Sequence, residues 1–443
     1  MAKIGFVSLG CPKNLVDSEV MLGLLQGQGH QITSSEQEAE IIVVNTCAFI
    51  KSSKQESVDT ILEMAQQKER GNCRRLIVAG CLVERYRHEI QRLIPEVDAV
   101  IGTNEIPDIL KACEASSTSP PTYESRELYL YSDTEPRMRT TPCYTAYIKI
   151  AEGCDHPCSF CVIPQMRGRF RSRPLDSILT EAHRMVSEGV REINLVAQDS
   201  TMYGRDLGQR GGLAELIEKL GEIEELAWVR SLYTYPNSVT DEFLKSIAAS
   251  PNACRYIDIP LQHASRQVLR RMKRGGNRLS LHRLMDRIRR YIPDCTLRTT
   301  MIVGFPGETD ADFEELVAFV REAQFDRLGV FTYSDEEDGA AHGLDRKVPD
   351  DLMKERRTRL MKIQSGISRR KNELLIGQTF PVLLEGISRE SEHLWEGRLA
   401  TQAPEIDGTV YLNDGVTEDV SPGQIRPVRI TEAHEYDLVG AVV

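Results

Sequence analysis

Three cysteines fall within one short run, Cys154-Asp155-His156-Pro157-Cys158-Ser159-Phe160-Cys161. Closely spaced thiolates on irregular backbone are how proteins hold iron–sulfur clusters. Three thiolates on a four-iron cluster leave one iron open to a substrate or cofactor. Zinc is the alternative, but a structural zinc site takes four ligands in a closed shell. Cys143 and His156 are the candidates for a fourth ligand, and neither sits at zinc-finger spacing. Three further cysteines are far apart in sequence, yet each directly follows an apolar, β-prone run: Cys11 after 4–9, Cys47 after 41–46 and Cys81 after 76–80. Parallel strands bring their ends to one sheet edge, so these three thiols are expected to converge as a second three-thiolate site. Taken singly, each would read as a small buried hydrophobe. Cys73, Cys113, Cys254 and Cys295 lack such placement and read as ordinary cysteines.

The elements that must position these thiols follow from periodicity. In residues 1–118, continuous apolar runs alternate with helical spacing at 17–25 and 57–68, which predicts a parallel α/β domain. The apolar stretch 76–83 reads as a strand running into a turn. A Pro- and Ser-rich run at 116–121 and a charged segment after it predict a linker over 119–139. Residues 140–373 resume the alternation. Strands are expected at 146–150, 192–197, 230–233, 256–259, 297–303 and 327–333. Helices are expected at 175–187, 213–223, 241–249, 266–272, 279–291 and 310–323. Six βα units predict a partial (βα)6 barrel, closed by a basic amphipathic helix over 350–375. The cysteine run directly follows the first barrel strand, at the end where barrel active sites lie. In residues 376–443, short β segments at 380–384, 394–399, 408–412 and 425–431 between turn residues predict a small all-β barrel of five strands.

Composition narrows the class. A chain of 443 residues with 41% hydrophobic and 27% charged residues is an ordinary globular composition of about three domains. No apolar run approaches the ~18 residues of a membrane helix. The start, Met-Ala-Lys-Ile-Gly-Phe-Val, has no signal-peptide layout. A cytoplasmic location is expected, where thiols stay reduced. Eleven cysteines are far too few for a disulfide scaffold. Net charge is −7 over residues 1–135, +4 over 136–375 and −8 over 376–443.

The run Cys154, Cys158, Phe160 and Cys161 resembles the C-x3-C-x-aromatic-C hallmark of the radical S-adenosylmethionine family. That resemblance implies a 4Fe-4S cluster on the three cysteines, with the open iron chelating S-adenosylmethionine. It also implies Phe160 near the adenine and the segment Gly304-Phe305-Pro306-Gly307-Glu308 along the cofactor, with Glu308 among its binding residues. Without the resemblance, that segment is a plain strand-turn-helix connection. The whole chain, in order, resembles the methylthiotransferase branch of this family: an N-terminal domain with a second 4Fe-4S cluster, a radical domain and a TRAM domain. The resemblance puts Cys11, Cys47 and Cys81 on that second cluster. It implies methyl transfer from one S-adenosylmethionine to sulfur at the second cluster. A radical made from another S-adenosylmethionine then abstracts hydrogen, and the substrate radical takes the methylthio group.

The branch divides between adenosine in transfer RNA and an aspartate of a small-subunit ribosomal protein. The segment Leu9-Gly10-Cys11-Pro12-Lys13-Asn14-Leu15-Val16-Asp17-Ser18-Glu19 is similar to the ribosomal-protein type, whose substrate is the β-carbon of that aspartate, on the free protein or the assembled subunit. RNA-acting members usually carry another pair after the first cysteine. Asp258-Ile259-Pro260-Leu261-Gln262-His263 occurs in both types. Ala48 departs from a frequent Gly and leaves the ligands untouched. Charge argues the same way, since a barrel at −8 would repel phosphates and attract a basic protein. The run Arg167, Arg169, Arg171, Arg173 cuts against this, as it could touch ribosomal RNA, or simply hold the cofactor and nearby carboxylates. No flavin or nicotinamide fingerprint is present, so an external one-electron donor such as flavodoxin or ferredoxin is expected. The alternatives are a transfer-RNA methylthiotransferase and a non-enzymatic metal-cluster scaffold or electron carrier.

Overall fold

The computed structural model describes residues 1–114, 128–417 and 419–443. The Pro- and Ser-rich run of the expected linker lies outside them. Strands β1 (Lys3–Ser8), β2 (Gln31–Thr33), β3 (Ile41–Thr46), β4 (Arg75–Gly80) and β5 (Ala99–Ile101) form a parallel sheet in the order β2-β1-β3-β4-β5. All six residues of β3 are buried, as expected of a parallel strand covered on both faces. The edge strands β2 and β5 are only three residues long, too short to show a period in sequence. The run 76–83 does not end in a turn: β4 passes directly into the helix Cys81–Leu93, which takes Leu82 and Val83.

The helix Pro12–Gly27 begins a turn earlier than its apolar spacing indicated. Pro12 opens it, where a missing N–H costs nothing and the fixed φ suits the helix. Most of it is buried, including Lys13, Asn14, Asp17, Ser18 and Glu19. One flank lies on the N-terminal sheet and the other faces the central domain.

In the central domain β6 (Thr145–Lys149) leads into a short hairpin of β7 (Ala151–Glu152) and β8 (Arg171–Ser172). The loop between β7 and β8 carries Cys154, Cys158 and Cys161. The six strands of the expected partial barrel fall into two parallel sheets. Strands β6, β9 (Glu192–Val196) and β10 (Trp228–Ser231) make one of three strands. A second contains β11 (Tyr256–Asp258), β12 (Thr296–Val303) and β13 (Arg327–Thr332). The two sheets abut where β10 lies against β11. Helices Leu175–Ser187, Gly212–Gly221, Asp241–Ala249, Arg266–Arg271, Arg278–Tyr291 and Asp310–Ala323 alternate with the strands, and Asp350–Glu373 lies along β13. No helix among the described residues is long and apolar enough to cross a membrane.

Strands β14 (Thr379–Ile387), β15 (Trp395–Leu399), β16 (Val410–Asp414), β17 (Ile425–Ala433) and β18 (Leu438–Val442) close a barrel in the order β14-β15-β16-β18-β17. Val382, Leu384, Val410, Leu412, Val428 and Leu438 fill it. The fifth strand, unrecognised in the sequence, pairs parallel to β16 and completes the closure, leaving no free edge.

Buried ion pairs join the three regions. Arg137, in the segment read as linker, is buried and pairs with Glu19 at 2.5 Å and Glu181 at 2.9 Å. Arg398 of the C-terminal barrel pairs with Glu192 of β9 at 2.6 Å and with Glu385 at 2.8 Å. Burial pushes the Glu192 carboxyl up, but Arg398 and then Arg230 draw it down to about 2.

Candidate active site

Strands β1, β3 and β4 are paired parallel neighbours, so their C-terminal ends share an edge, and Cys11, Cys47 and Cys81 stand just beyond them. Two glycines allow this crowding. Gly10 has φ +97° and Gly80 has φ +94°, a left-handed backbone that glycine adopts freely. A Cβ on Gly10 would lie 2.9 Å from the Cys47 Cβ, and one on Gly80 would lie 2.3 Å from Asn45 Oδ1.

Cys11, Cys47, Cys81, Cys154, Cys158 and Cys161 all line one cavity of about 560 Å³. All three regions contribute to its wall: Phe49 and Ile50 from the first, Phe160, Tyr233, Tyr235, Asp258 and Arg298 from the second, Ile406 from the third. Burial pushes the Cys81 thiol up to about 12, with Cys47 and Cys11 adding to the effect and Arg167 opposing it. Burial likewise raises Cys161 to about 12, where Cys158 and Cys154 are its thiol neighbours, and Cys154 to about 11. Cys47 is raised mainly by burial. The thiols therefore fall into two groups of three. Thiols kept protonated by burial become ligands when a metal displaces the proton.

Each group has a cation on one sulfur. Arg167 Nη2 donates to Cys81 Sγ at 3.3 Å, and Arg274 Nη1 donates to Cys158 Sγ at 3.6 Å. Among the described residues no three His, Cys, Asp or Glu side chains close on a single-ion position; the thiols ring a cavity instead. That arrangement, with cations on the sulfurs, fits thiolate-held iron–sulfur clusters. All eleven cysteines are free. Cys143 is exposed and Cys73, Cys254 and Cys295 are buried elsewhere; with Cys113, none of these is in the cavity wall.

Arg167 also ties the two cysteine-bearing domains together. It donates to Asp17 at 2.5 Å, to Glu152 at 3.2 Å and to Asn14 Oδ1 at 3.1 Å. Lys149 bridges the same two carboxylates, reaching Glu152 at 2.6 Å and also pairing with Asp17. Arg173 is buried on Glu181, and Arg171 donates to the carbonyls of Arg167 and Tyr129. Of the four arginines in that run only Arg169 is exposed, so the run holds carboxylates and carbonyls inside the protein.

His156, between two cysteines, lies 2.6 Å from Asp199 and stacks on Tyr235 with 3.7 Å between ring centroids. Arg274 covers the Tyr235 ring at 4.4 Å. This stack fixes the cysteine loop and occupies the histidine considered as a zinc ligand. Tyr233 and Gln262, both in the cavity wall, hold φ of +62° and +73°. Strained non-glycine backbone of this kind gathers at functional sites.

Phe160 lines the cavity. Glu308 does not line it. Its carboxylate accepts the amides of Gly304 at 2.8 Å and Phe305 at 3.4 Å and pairs with Arg356 at 2.7 Å. It holds the shape of its own turn. The sequence reading gave Asn14 and Asp17 no role beyond the segment 9–19 and missed Lys149, Glu152, Tyr235 and Arg274. One signal was available: Asn14, Asp17 and Ser18 are polar residues at helical spacing in a helix with few exposed positions.

Comparison with known proteins places these parts in context. Residues 3–102 match the uncharacterized protein family UPF0004, residues 148–320 the Radical SAM superfamily and residues 376–443 the TRAM domain. The chain is 55% identical to the ribosomal protein uS12 methylthiotransferase RimO of Solibacter usitatus, over all of this chain and 95% of that one. It is 52% identical to the protein of that name from Koribacter versatilis, over all of this chain and 96% of that one. The Geobacter sulfurreducens protein of that name is 49% identical, over all of this chain and 98% of that one. Among solved structures, the radical S-adenosylmethionine methyltransferase TsrM of Kitasatospora setae, with tryptophan and an S-adenosylmethionine analogue bound, shares the fold. Its TM-score is 0.54 at 14% identity, over 74% of this chain and 73% of that one.

Proposed function

The chain belongs to the RimO family of ribosomal protein uS12 methylthiotransferases, and from that premise we propose how its residues divide the work. It is a radical S-adenosylmethionine enzyme that transfers a methylthio group to the small-subunit ribosomal protein uS12, at the β-carbon of an aspartate. Cys154, Cys158 and Cys161 hold one 4Fe-4S cluster, and Cys11, Cys47 and Cys81 hold the other. Bound there, the clusters and S-adenosylmethionine supply one-electron chemistry, a transferable methyl group and a hydrogen-abstracting radical.

The protein's own residues position and enclose. Phe160 offers an aromatic wall beside the cysteine loop for the adenine. Glu308 supports cofactor binding through the turn 304–307 that it braces. Arg167 and Lys149 neutralise Asp17 and Glu152 and so fix the N-terminal sheet edge against the cysteine loop. Phe49, Phe331 and Ile406 give the cavity apolar walls that exclude water from a reactive radical. An external one-electron donor, a flavodoxin or ferredoxin, is part of this proposal, as is a cytoplasmic location.

One observation carries this reading: both thiol groups line a single cavity, so sulfur held by one group lies within reach of a substrate activated at the other. The test is anaerobic. The protein is reconstituted with iron and sulfide, its iron counted, and dithionite and S-adenosylmethionine added. About eight irons per chain, 5′-deoxyadenosine and methylthiolated uS12 are expected. Zinc in place of iron, or iron without cofactor cleavage, overturns the enzyme reading. Product on transfer RNA and none on uS12 overturns the substrate.

A further inference from the structure

We propose that Lys13 binds the carboxylate of the substrate aspartate and selects it over a neutral side chain, an inference that rests on the function just proposed. Lys13 is the second residue of the helix Pro12–Gly27, two positions after Cys11. It is only 8% exposed and lines the cavity shared by the six cysteines. Its Nζ sits 3.3 Å from the centroid of the Tyr233 ring. Among the described residues it makes no ion pair with a carboxylate.

The other cations of the cavity are engaged. Arg167 is paired with Asp17 and Glu152. Arg298 is paired with Asp258 at 2.7 Å. Arg274 donates to the Pro260 carbonyl at 2.7 Å and faces Cys158. Lys13 has the face of an aromatic ring and the neighbouring Cys11 thiol, and among the described residues no carboxylate. A buried ammonium in that state is costly, and an anionic ligand entering the cavity offsets the cost. Tyr233, whose φ is +62°, holds the ammonium from one side through a cation–π contact.

The chemistry of the substrate matches. The reacting β-carbon of an aspartate bears the carboxylate directly. A cation gripping that carboxylate therefore fixes the reacting C–H one bond away, the kind of orientation that lowers a barrier entropically. Lys13 also stands beside Cys11, on the side of the cavity proposed to deliver sulfur. A role as counter-ion to the cysteine thiolates is the competing explanation, and it makes a different prediction.

The test uses the reconstituted full-length enzyme and two labelled peptides spanning the target segment of uS12, one with the aspartate and one with asparagine in its place. Affinities are read anaerobically by fluorescence anisotropy, without turnover. The wild-type enzyme is expected to favour the aspartate peptide by about thirtyfold, the scale of losing one partner of a buried charge pair. Lys13→Met should remove that preference by weakening the aspartate peptide alone, and Lys13→Arg should restore most of it. Iron content and melting midpoint of each variant are matched first. The comparison of peptides on the wild type needs no variant. If wild type binds both peptides equally, or Lys13→Met weakens both alike, Lys13 serves the thiolates and the proposal is wrong. If wild type binds neither peptide but binds transfer RNA, the functional reading falls and takes the inference with it.

Discussion

The guanidinium of Arg167 donates to the sulfur of Cys81 at 3.3 Å, across the boundary between the central domain and the N-terminal sheet. Arg167 sits on the short helix Ile163–Arg167, immediately after the cysteine loop, while Cys81 follows β4. One side chain thus touches a thiol of one group from the segment that follows the other. Its charge is balanced by Asp17 and Glu152, both buried.

Arg167→Gln leaves two buried carboxylates paired, among the described residues, with Lys149 alone. Breaking a buried pair from one side costs about 3 kcal/mol or more. The unfolding midpoint should fall accordingly, and the N-terminal region should become more open to proteolysis. An unchanged midpoint would show that the network contributes nothing to the domain contact.

The two cysteine groups should separate by mutation. Cys47→Ala is expected to keep 5′-deoxyadenosine production and lose the methylthio product. Cys158→Ala should lose both. Chromatography of nucleoside and mass spectrometry of uS12 read the two outcomes, and full methylthiolation by Cys47→Ala would remove the second cluster from the proposal.

Glu192 sets an acid limit on the docking of the C-terminal barrel. Its carboxyl is drawn down to about 2 by Arg398 and Arg230 against the upward push of burial, whereas an unfolded Glu titrates at about 4.3. A carboxyl depressed in the folded state stabilises fully above the unfolded value, and the contribution fades as pH falls toward 2. Stability from this source should be flat from pH 7 to 5 and decline between about pH 4 and 2. Glu192→Gln should lower the midpoint at pH 7 and flatten the acid decline, measured by denaturant unfolding across pH.

The acidic barrel should steer a basic partner. Residues 376–443 carry −8, and of their four arginines Arg398 is buried in ion pairs. Glu432 and Glu435 are exposed. Replacing both with Lys should slow association with uS12 several-fold at low salt and much less above the ionic strength that screens surface charge. Stopped-flow association rates decide it; equal rates at low salt would leave the barrel without a steering role.

The sequence by itself determined the parts. Continuous apolar runs mark the buried strands β1, β3 and β4 because parallel strands are covered on both faces, and a cysteine just past each end is visible without coordinates. The spacing of Cys154, Cys158 and Cys161 is local and therefore legible. Helices such as Leu175–Ser187, Asp241–Ala249 and Asp310–Ala323 match their apolar period residue for residue. Tertiary structure decided how the parts meet. Nothing in the local pattern of Lys149 or Glu152 says that they face Asp17 and Arg167, since buried charges are matched across domains and not along the chain. The strands β2 and β5 have too few residues to carry a period, and only pairing with neighbours defines them. Glu308 turned inward for the same reason: its partners Gly304, Phe305 and Arg356 were brought together by the turn and by the distant helix Asp350–Glu373. The position of Lys13, buried beside Tyr233 with no carboxylate among the described residues, exists only once the N-terminal helix is docked on the central domain.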